Sequence, residues 1–298
     1  MPDIQLPLRT LCLIALLAPA LAAADTPSAA QAAQHAAAQA ARVALVRGPA
    51  SVPLRDQATL RLPEHFGFVP RKESVALMRA MGNSPSEDFL GLVSPLDGDG
   101  DWLVTVSYDP SGYIKDDDAR HWDADKLLQS LKDGTEAANA ERVKLGVPPL
   151  VVTRWIEPPS YQSESHELVW SAEAKHKDGR GTDPVVNYNT YLLGREGYVS
   201  LNLLTRASAV AADKAAAHQL LAAADFNSGK HYADFNSSTD KVAAYGLAAL
   251  VAGVAAKKLG LLALLAATVV KFAKVFVLAG AAALVGIKRW LGMRTDKA

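Results

Sequence analysis

Alternation of apolar and polar residues with period two recurs along the middle of the chain and predicts β-strands. The segments with this pattern are rich in Val, Leu, Trp and Tyr, and they are 58–63, 88–95, 101–109, 150–159, 166–175, 185–194 and 198–206. Turn-forming residues predict hairpin connections at 96–101 (LDGDGD) and 194–197 (GREG), and a longer loop at 177–184.

Helical periodicity interrupts the predicted strands three times. The segments are 71–82, 123–146 and 208–225, and in the second one Asp123 or Asp125 is the expected N-cap and Gly146 the expected end. Clustered strands with helices between the groups indicate an α+β fold with a mainly antiparallel sheet and flanking helices. We assign this fold to residues 48–240.

The N-terminus has the features of an export signal. Arg9 precedes an apolar stretch at 10–22, and small residues then offer cleavage after Ala22 or Ala24, so we assign 1–24 as a signal peptide. An uncleaved anchor helix is the alternative, although the stretch is short for one. Cys12 is the only cysteine, so the cleaved chain has no disulfide and no thiol chemistry. This indicates a bacterial periplasmic domain, preceded at 25–47 by an Ala/Gln-rich helical tether or loosely docked helix.

The C-terminal part, 241–298, predicts a membrane anchor with a basic tail. Lysines separate apolar runs at 242–256, 259–270 and 275–287, each shorter than the ~20 residues of a spanning helix. If the lysines snorkel, 242–260 spans, and 261–287 spans or lies along the interface. The chain then ends in a transmembrane helix or a helical hairpin. An Ala-rich hairpin buried in a soluble protein is the alternative.

Charge is divided unevenly between body and tail. The tail has nine Lys and Arg residues against one acidic residue, Asp296, whereas the preceding 240 residues have 22 basic and 30 acidic ones. An acidic body argues against nucleic-acid binding. Lys257 and Lys258 fit the positive-inside tendency for an exported body, but a second span would return Lys288 and Arg289 to the periplasm. The number of spans therefore stays open.

Two groups of residues are candidates for chemistry. Asp116, Asp117, Asp118 and His121 could bind a divalent cation, or they could stabilise the start of a helix. Trp155, Tyr161 and Trp170 surround a Pro-Pro bend and could bind a glycan or peptide, or they could form core. Apart from that possible cation, no cofactor is predicted. The acidic turn at 96–102 departs from the EF-hand pattern, and hydrolase, P-loop and dinucleotide signatures are missing from the sequence.

A repeated phrase, Asp-Phe-Asn-Ser at 225–228 and 234–237, precedes the apolar C-terminal part. Two copies are too few for a repeat array. We interpret the segment as an ordered junction to the membrane, in which Asp240 caps a helix that starts with Lys241 and Tyr245 lies at interface depth.

Several phrases resemble the DUF2167 family, known as uncharacterised membrane-anchored bacterial proteins. They lie at 112–128 (GYIKDDDARHWDADKLL), 136–150, 155–170, 187–203 and 232–253 (YADFNSSTDKVAAYGLAALVAG). The resemblance implies an exported domain with a C-terminal anchor and implies no activity.

Three functional hypotheses follow. The first is a non-enzymatic binding or envelope-organising module, anchored in the bacterial inner membrane with its main domain in the periplasm. Its partners would be the membrane and an envelope protein, or a second copy contacted through the anchor. The second is a metal-dependent hydrolase using the Asp/His cluster. The third is an oligomeric membrane or transporter accessory, suggested by Lys271 and Lys274 within the apolar part.

Overall fold

The chain was studied as a computed structural model, which describes residues 29–252 apart from 82, 84, 97–99, 145–147 and 180–182. In chain order the elements are α1 (Ala29–Val43), β1 (Val46–Arg47), β2 (Ala50–Leu54), β3 (Ala58–Leu62), β4 (Phe66–Pro70), α2 (Arg71–Ala80), β5 (Phe89–Pro95), β6 (Leu103–Asp109), α3 (Ala124–Lys144), β7 (Leu150–Gln162), β8 (Glu167–His176), β9 (Val185–Leu193), β10 (Tyr198–Arg206), α4 (Val210–Ala223), β11 (Ala224–Phe226) and α5 (Leu247–Ala252). Short 3-10 helices lie at Asp117–Arg120 and Tyr232–Asp234.

An antiparallel sheet of eight strands organises these elements, in the order β1-β4-β5-β6-β10-β9-β8-β7. A smaller sheet has the order β11-β3-β2. All strand pairs in both sheets are antiparallel, as the alternating patterns predict. The α+β fold with a large antiparallel sheet and flanking helices is therefore confirmed.

One face of the large sheet is apolar and covered. Val199, Leu201 and Leu203 of β10 alternate onto this face and have no exposed surface. They pack with Leu220 of α4 and Leu60 of the small sheet in one core cluster. Because strand side chains alternate between faces, this single row of β10 residues fixes which side faces the core.

The opposite face is covered at its two margins by separate helical layers. On the β4–β5 side, Leu77 and Met78 of α2 pack against Phe89 and Leu92, with α1 adding Ala38 and Ala41. On the β7–β8 side, α3 and α5 lie over a cluster that contains Leu168, Leu193 and Leu247. The centre of this face, formed by β6, β10 and part of β9, lies between these layers.

Sequence patterning located the long elements and missed the short ones. Each strand and helix predicted between 58 and 225 has an observed counterpart, and Asp123 caps α3 through its Oδ1, which accepts the backbone N–H groups of Asp125 (3.0 Å) and Lys126 (3.2 Å). Strands β1, β2, β4 and β11 were not predicted. β2 alternates in burial, but it contains Pro53, a residue that argues against a strand, whereas β4 is buried along four successive residues and shows no alternation.

The terminal predictions fall largely outside the described residues. The export signal (1–24) and everything after Ala252 lie there, and of the Ala/Gln-rich segment 25–47 the part from Ala29 is helix α1, docked on α2. Across the described stretch from 29 to 252, no helix is long and apolar enough to cross a membrane.

Candidate functional site

A hydrogen-bonded chain of three side chains connects the acidic segment to the turn between β7 and β8. Tyr161, near the end of β7, donates its hydroxyl proton to Oδ2 of Asp116 at 2.8 Å. The same hydroxyl lies 3.0 Å from Nδ1 of His166. Because the tyrosine proton is directed at the carboxylate, we assign the proton of the second bond to Nδ1 of His166. The Nε2 atom of His166 is then an acceptor.

His166 also belongs to a column of stacked aromatic rings. Its ring stacks on Tyr232 at 4.2 Å, Tyr232 on Tyr113 at 4.3 Å, and Tyr113 on Phe235 at 3.8 Å between centroids. The Tyr232 hydroxyl donates to the carbonyl oxygen of Ile114 at 2.7 Å. The column joins three segments that are distant in sequence, so it fixes the loop after the 3-10 helix at Tyr232–Asp234 onto the sheet.

Burial sets the charge states in this region. It raises the pKa of Tyr161 and of Tyr232, and the neighbouring Asp116 carboxylate adds to both shifts. Burial lowers the pKa of His166, and Asp116 opposes this only in part. At neutral pH the two phenols are therefore protonated and the imidazole is neutral.

The arrangement has a base but no reacting partner for it. Among the described contacts, His166 is hydrogen-bonded to Tyr161 through its side chain, and no Ser, Thr or Lys side chain bonds to its ring. Nucleophilic catalysis requires such a pair within hydrogen-bond reach. The bonds of Asp116, Tyr161 and His166 hold the acidic segment against the turn between β7 and β8.

The four residues of the predicted cation site do not meet. Asp116 is bonded to Tyr161, whereas Asp118 accepts the backbone N–H groups of Leu247 (3.2 Å) and Ala248 (3.0 Å). Asp117 and His121 are exposed. In the described ranges, no three His, Cys, Asp or Glu side chains are grouped so as to hold a metal ion. The local interpretation of acidic residues at a helix start is closer to the structure, but the helix that Asp118 caps is α5, 129 residues further along the chain.

Glycine at position 246 makes this long-range cap possible. A Cβ atom there would lie 2.5 Å from Oδ2 of Asp118, closer than any real contact. The carboxylate can therefore approach the start of α5 only because position 246 has no side chain.

The predicted aromatic group is divided between two environments. Trp155 and Trp170 meet edge to face, with centroids 6.1 Å apart, and the Trp155 indole donates to the carbonyl oxygen of Ala124 at 3.0 Å. Both rings pack against the cluster beneath α3 and α5, as does Tyr161. The core interpretation thus describes Trp155 well. Trp170 differs, because its Nε1 is buried without a hydrogen-bond partner.

The predicted membrane junction is held firmly to the folded domain. The guanidinium group of Arg195 contacts both oxygens of Asp240, at 2.6 and 2.9 Å, and holds the pKa of that carboxyl well below its usual range. The Lys241 carbonyl oxygen accepts the N–H of Tyr113, and Val242 bridges to Tyr113.

The expectation that Asp240 caps a helix is wrong. Asp240 is bonded to Arg195 and to the backbone N–H of Asn236 (2.8 Å), and α5 begins only at Leu247. Tyr245 is half-buried against the same cluster as Tyr198, and burial raises its pKa. The segment therefore packs on the protein before the undescribed part begins.

Sequence reasoning missed Arg195, His166 and Tyr232. Arg195 lies in a turn that was correctly predicted from its glycines, but nothing local indicates that its partner is Asp240. The repeated Asp-Phe-Asn-Ser phrase gives no common structure either: its first copy begins in β11, whereas its second begins at Asp234, the last residue of the 3-10 helix.

Comparisons with known proteins give a family and a distant structural likeness. No curated protein matches this sequence. The solution structure of cyanobacterial PsbP (CyanoP) from Synechocystis is similar with a TM-score of 0.37 and 12% identity, over 62% of this chain and 93% of that one. A likeness at this level carries no argument about function. The sequence profile of DUF2167, described as a protein of unknown function, matches residues 46–281, which include the junction and the site described above. The chain therefore belongs to the DUF2167 family.

Proposed function

We propose that this protein is a membrane-anchored periplasmic module that binds a partner and has no catalytic role. Residues 48–240, preceded by the Ala/Gln-rich segment 25–47, form the exported domain, and 241–298 hold it at the bacterial inner membrane. One observation carries the proposal: the chain leading into the anchor is locked to the domain at three points.

The three points are independent of one another. Arg195 pairs with Asp240, Tyr113 bridges to Val242, and Asp118 caps α5. The Asp240 side chain is only 9% exposed, so its ion pair is more strongly held than a typical surface pair. A passive tether needs no such contacts, because a flexible linker already keeps a domain near a membrane. A locked junction instead fixes which surface of the domain faces the membrane and which faces a partner.

The metal-dependent hydrolase is not favoured by this geometry. Two of its four proposed ligands, Asp116 and Asp118, are committed to Tyr161 and to α5. The transporter accessory depends on Lys271 and Lys274, which lie outside the described residues.

Cell fractionation with cysteine accessibility tests the proposal. In a Cys12→Ser background, a cysteine is introduced at exposed Ser51, in β2, and in a second variant at Lys297. We expect the protein to remain with the inner membrane after high-salt washing and to be released by detergent. The cysteine at 51 should react with a membrane-impermeant maleimide in cells with a permeabilised outer membrane.

Recovery of the protein in the soluble fraction would contradict anchoring. Labelling at 51 only after cell lysis would contradict the periplasmic location. The cysteine at 297 reports the side of the C-terminus and so fixes the number of spans, whichever outcome the other two measurements give.

A further inference from the structure

Five polar side chains lie together on the sheet face opposite α4. They are Thr105 and Ser107 of β6, Asn189 of β9, and Ser200 and Asn202 of β10, and we call them the polar floor. Asn202 is directly opposite both Asn189 and Thr105, and Ser200 is directly opposite Ser107. Directly opposite residues of antiparallel strands have their side chains on the same face, about 5 Å apart. The polar floor is therefore two adjacent rows of one continuous surface.

Three of these side chains are recessed, and a fourth, Asn202, has a buried atom without a partner. Thr105, Asn189 and Ser200 are between 6% and 8% exposed. Among the atoms of these five side chains, Oδ1 of Asn202 is fully buried and has no hydrogen-bond partner. Asn189 makes only long bonds from its Nδ2, to the carbonyl oxygens of Trp170 (3.4 Å) and Asn187 (3.2 Å).

Polar groups withdrawn from solvent are normally paired, because leaving them unpaired costs free energy. The buried, unpaired amide oxygen of Asn202 at the centre of a sheet thus has a cost in folding stability. Apolar residues at the same positions would avoid that cost, so the arrangement is typical of a binding surface rather than of a core.

Trp170 extends the row on the neighbouring strand. It is directly opposite Asn189, so Trp170, Asn189, Asn202 and Thr105 cross four adjacent strands in register. At about 4.8 Å per strand the row is about 14 Å long. The indole Nε1 is buried and unpartnered; it lies near the Tyr191 hydroxyl without forming a hydrogen bond of normal geometry. The row thus has an unsatisfied donor at one end and an unsatisfied acceptor at Asn202.

The helical layers leave the polar floor between them. Phe89 and Leu92 on one side are covered by α2, and Leu168 and Tyr191 on the other are in the cluster beneath α5. The floor therefore lies between two packed helical layers, with its polar groups along the centre of the sheet.

The chemistry of the floor selects a ligand class. None of its five side chains is ionisable. Together they provide both hydrogen-bond donors and acceptors, since amide and hydroxyl groups can donate and can accept. A charged ligand would find no counter-charge among them. A peptide strand is usually bound along a sheet edge, with pockets for alternate side chains, and this surface lies at the centre of the sheet. Sugar hydroxyls are neutral and both donate and accept hydrogen bonds. The Trp170 indole, next to the polar floor, can pack against a sugar ring.

We propose that the polar floor, with Trp170 at its end, binds a neutral oligosaccharide. This inference rests on the proposed binding function and names the site and the ligand class for it.

Calorimetry with defined probes tests the proposal. The full chain is reconstituted in phospholipid nanodiscs, because detergents with sugar headgroups would compete. Cellohexaose, maltohexaose and the hexamer of N-acetylglucosamine are titrated separately, with the neutral peptide Gly-Ser-Asn-Gly-Ser-Asn as comparison. We expect at least one oligosaccharide to bind and the peptide not to bind.

Matched variants locate the binding. Ser200→Val and Asn202→Leu should each weaken the affinity at least about tenfold, a change that corresponds to the loss of one good hydrogen bond. Ser51→Val is the control, because it makes the same change at an exposed strand position in the small sheet. Trp170→Phe keeps an aromatic ring, removes Nε1 and should give a smaller loss. Thermal denaturation shows whether each variant is folded.

Three results would overturn the proposal: none of the oligosaccharides binds the folded wild-type protein, the peptide binds instead, or Ser51→Val weakens binding as much as Ser200→Val. Each of these leaves the membrane anchoring of the proposed function untouched, since fractionation measures that separately.

Discussion

The two faces of the large sheet differ sharply although the same strands build both. Leu201 and Asn202 are neighbours in β10, yet Leu201 packs in the core beneath α4 while Asn202 lies unpaired on the polar floor. On the first face every side chain along β10 removes apolar surface from water, which is the main favourable contribution to folding. On the second face the central side chains of β10, Ser200 and Asn202, are polar. The difference indicates that the first face maintains the fold and the second is available for recognition.

The largest expected effect is on the apolar face. Leu201→Ala should lower the free energy of unfolding by about 2–5 kcal/mol, because it leaves a cavity in a fully buried cluster. Urea denaturation followed by far-UV circular dichroism measures this. A loss below about 1 kcal/mol would show that the two faces do not differ in the way proposed.

A smaller effect is expected where α5 covers the margin of the second face. Asp118→Ala removes the carboxylate that caps α5 and should cost about 0.5–2 kcal/mol. Hydrogen exchange at the Leu247 and Ala248 amides should accelerate. The neighbouring Asp117→Ala is the control, because Asp117 is exposed and makes no bond to α5. Equal effects of both substitutions would contradict the cap.

The junction should make stability depend on pH in the acid range. The folded-state pKa of Asp240 is depressed by Arg195, so the ion pair stabilises the protein above the ordinary carboxyl pKa near about 4. This contribution is lost progressively as the pH falls below that value, because protonation then favours the unfolded chain. Urea denaturation at pH 7 and at pH 3 measures the change. Asp240→Asn should be less stable at pH 7 and should have the smaller pH dependence. If the stability of Asp240→Asn depends on pH as strongly as that of the wild-type protein, the acid sensitivity arises from other carboxylates.

The smallest effect on stability is expected on the polar floor. Asn202→Leu should raise the free energy of unfolding slightly, by less than about 1 kcal/mol, because it replaces a side chain with an unpaired buried amide oxygen by an apolar group. The same denaturation measurement applies. A loss as large as that of Leu201→Ala would show that Asn202 is a core residue, and the distinction between the faces would fail.

Much of the fold could be predicted from local patterns, and the candidate sites could not. Alternation located β5 through β10, and Asp123 was recognisable as the cap of α3, because these features depend on neighbouring residues. The different placement of the acidic residues could not be predicted, for the opposite reason. Asp116, Asp117 and Asp118 are adjacent in sequence, but in a 3-10 segment they point to different partners, and one of these partners is 129 residues away.

By itself, the sequence determined the α+β class, the long strands and helices, and the family. Each of these follows from features that are local in the chain: periodicity, turn residues and the short segments that resemble the family. Only the tertiary structure decided that Asp240 pairs with Arg195 rather than capping a helix. It alone brought Trp170, Asn189, Asn202 and Thr105 into one row, because strand order and register depend on how the whole sheet packs. Alternation indicates that two faces exist, whereas their coverage depends on which helices pack against them.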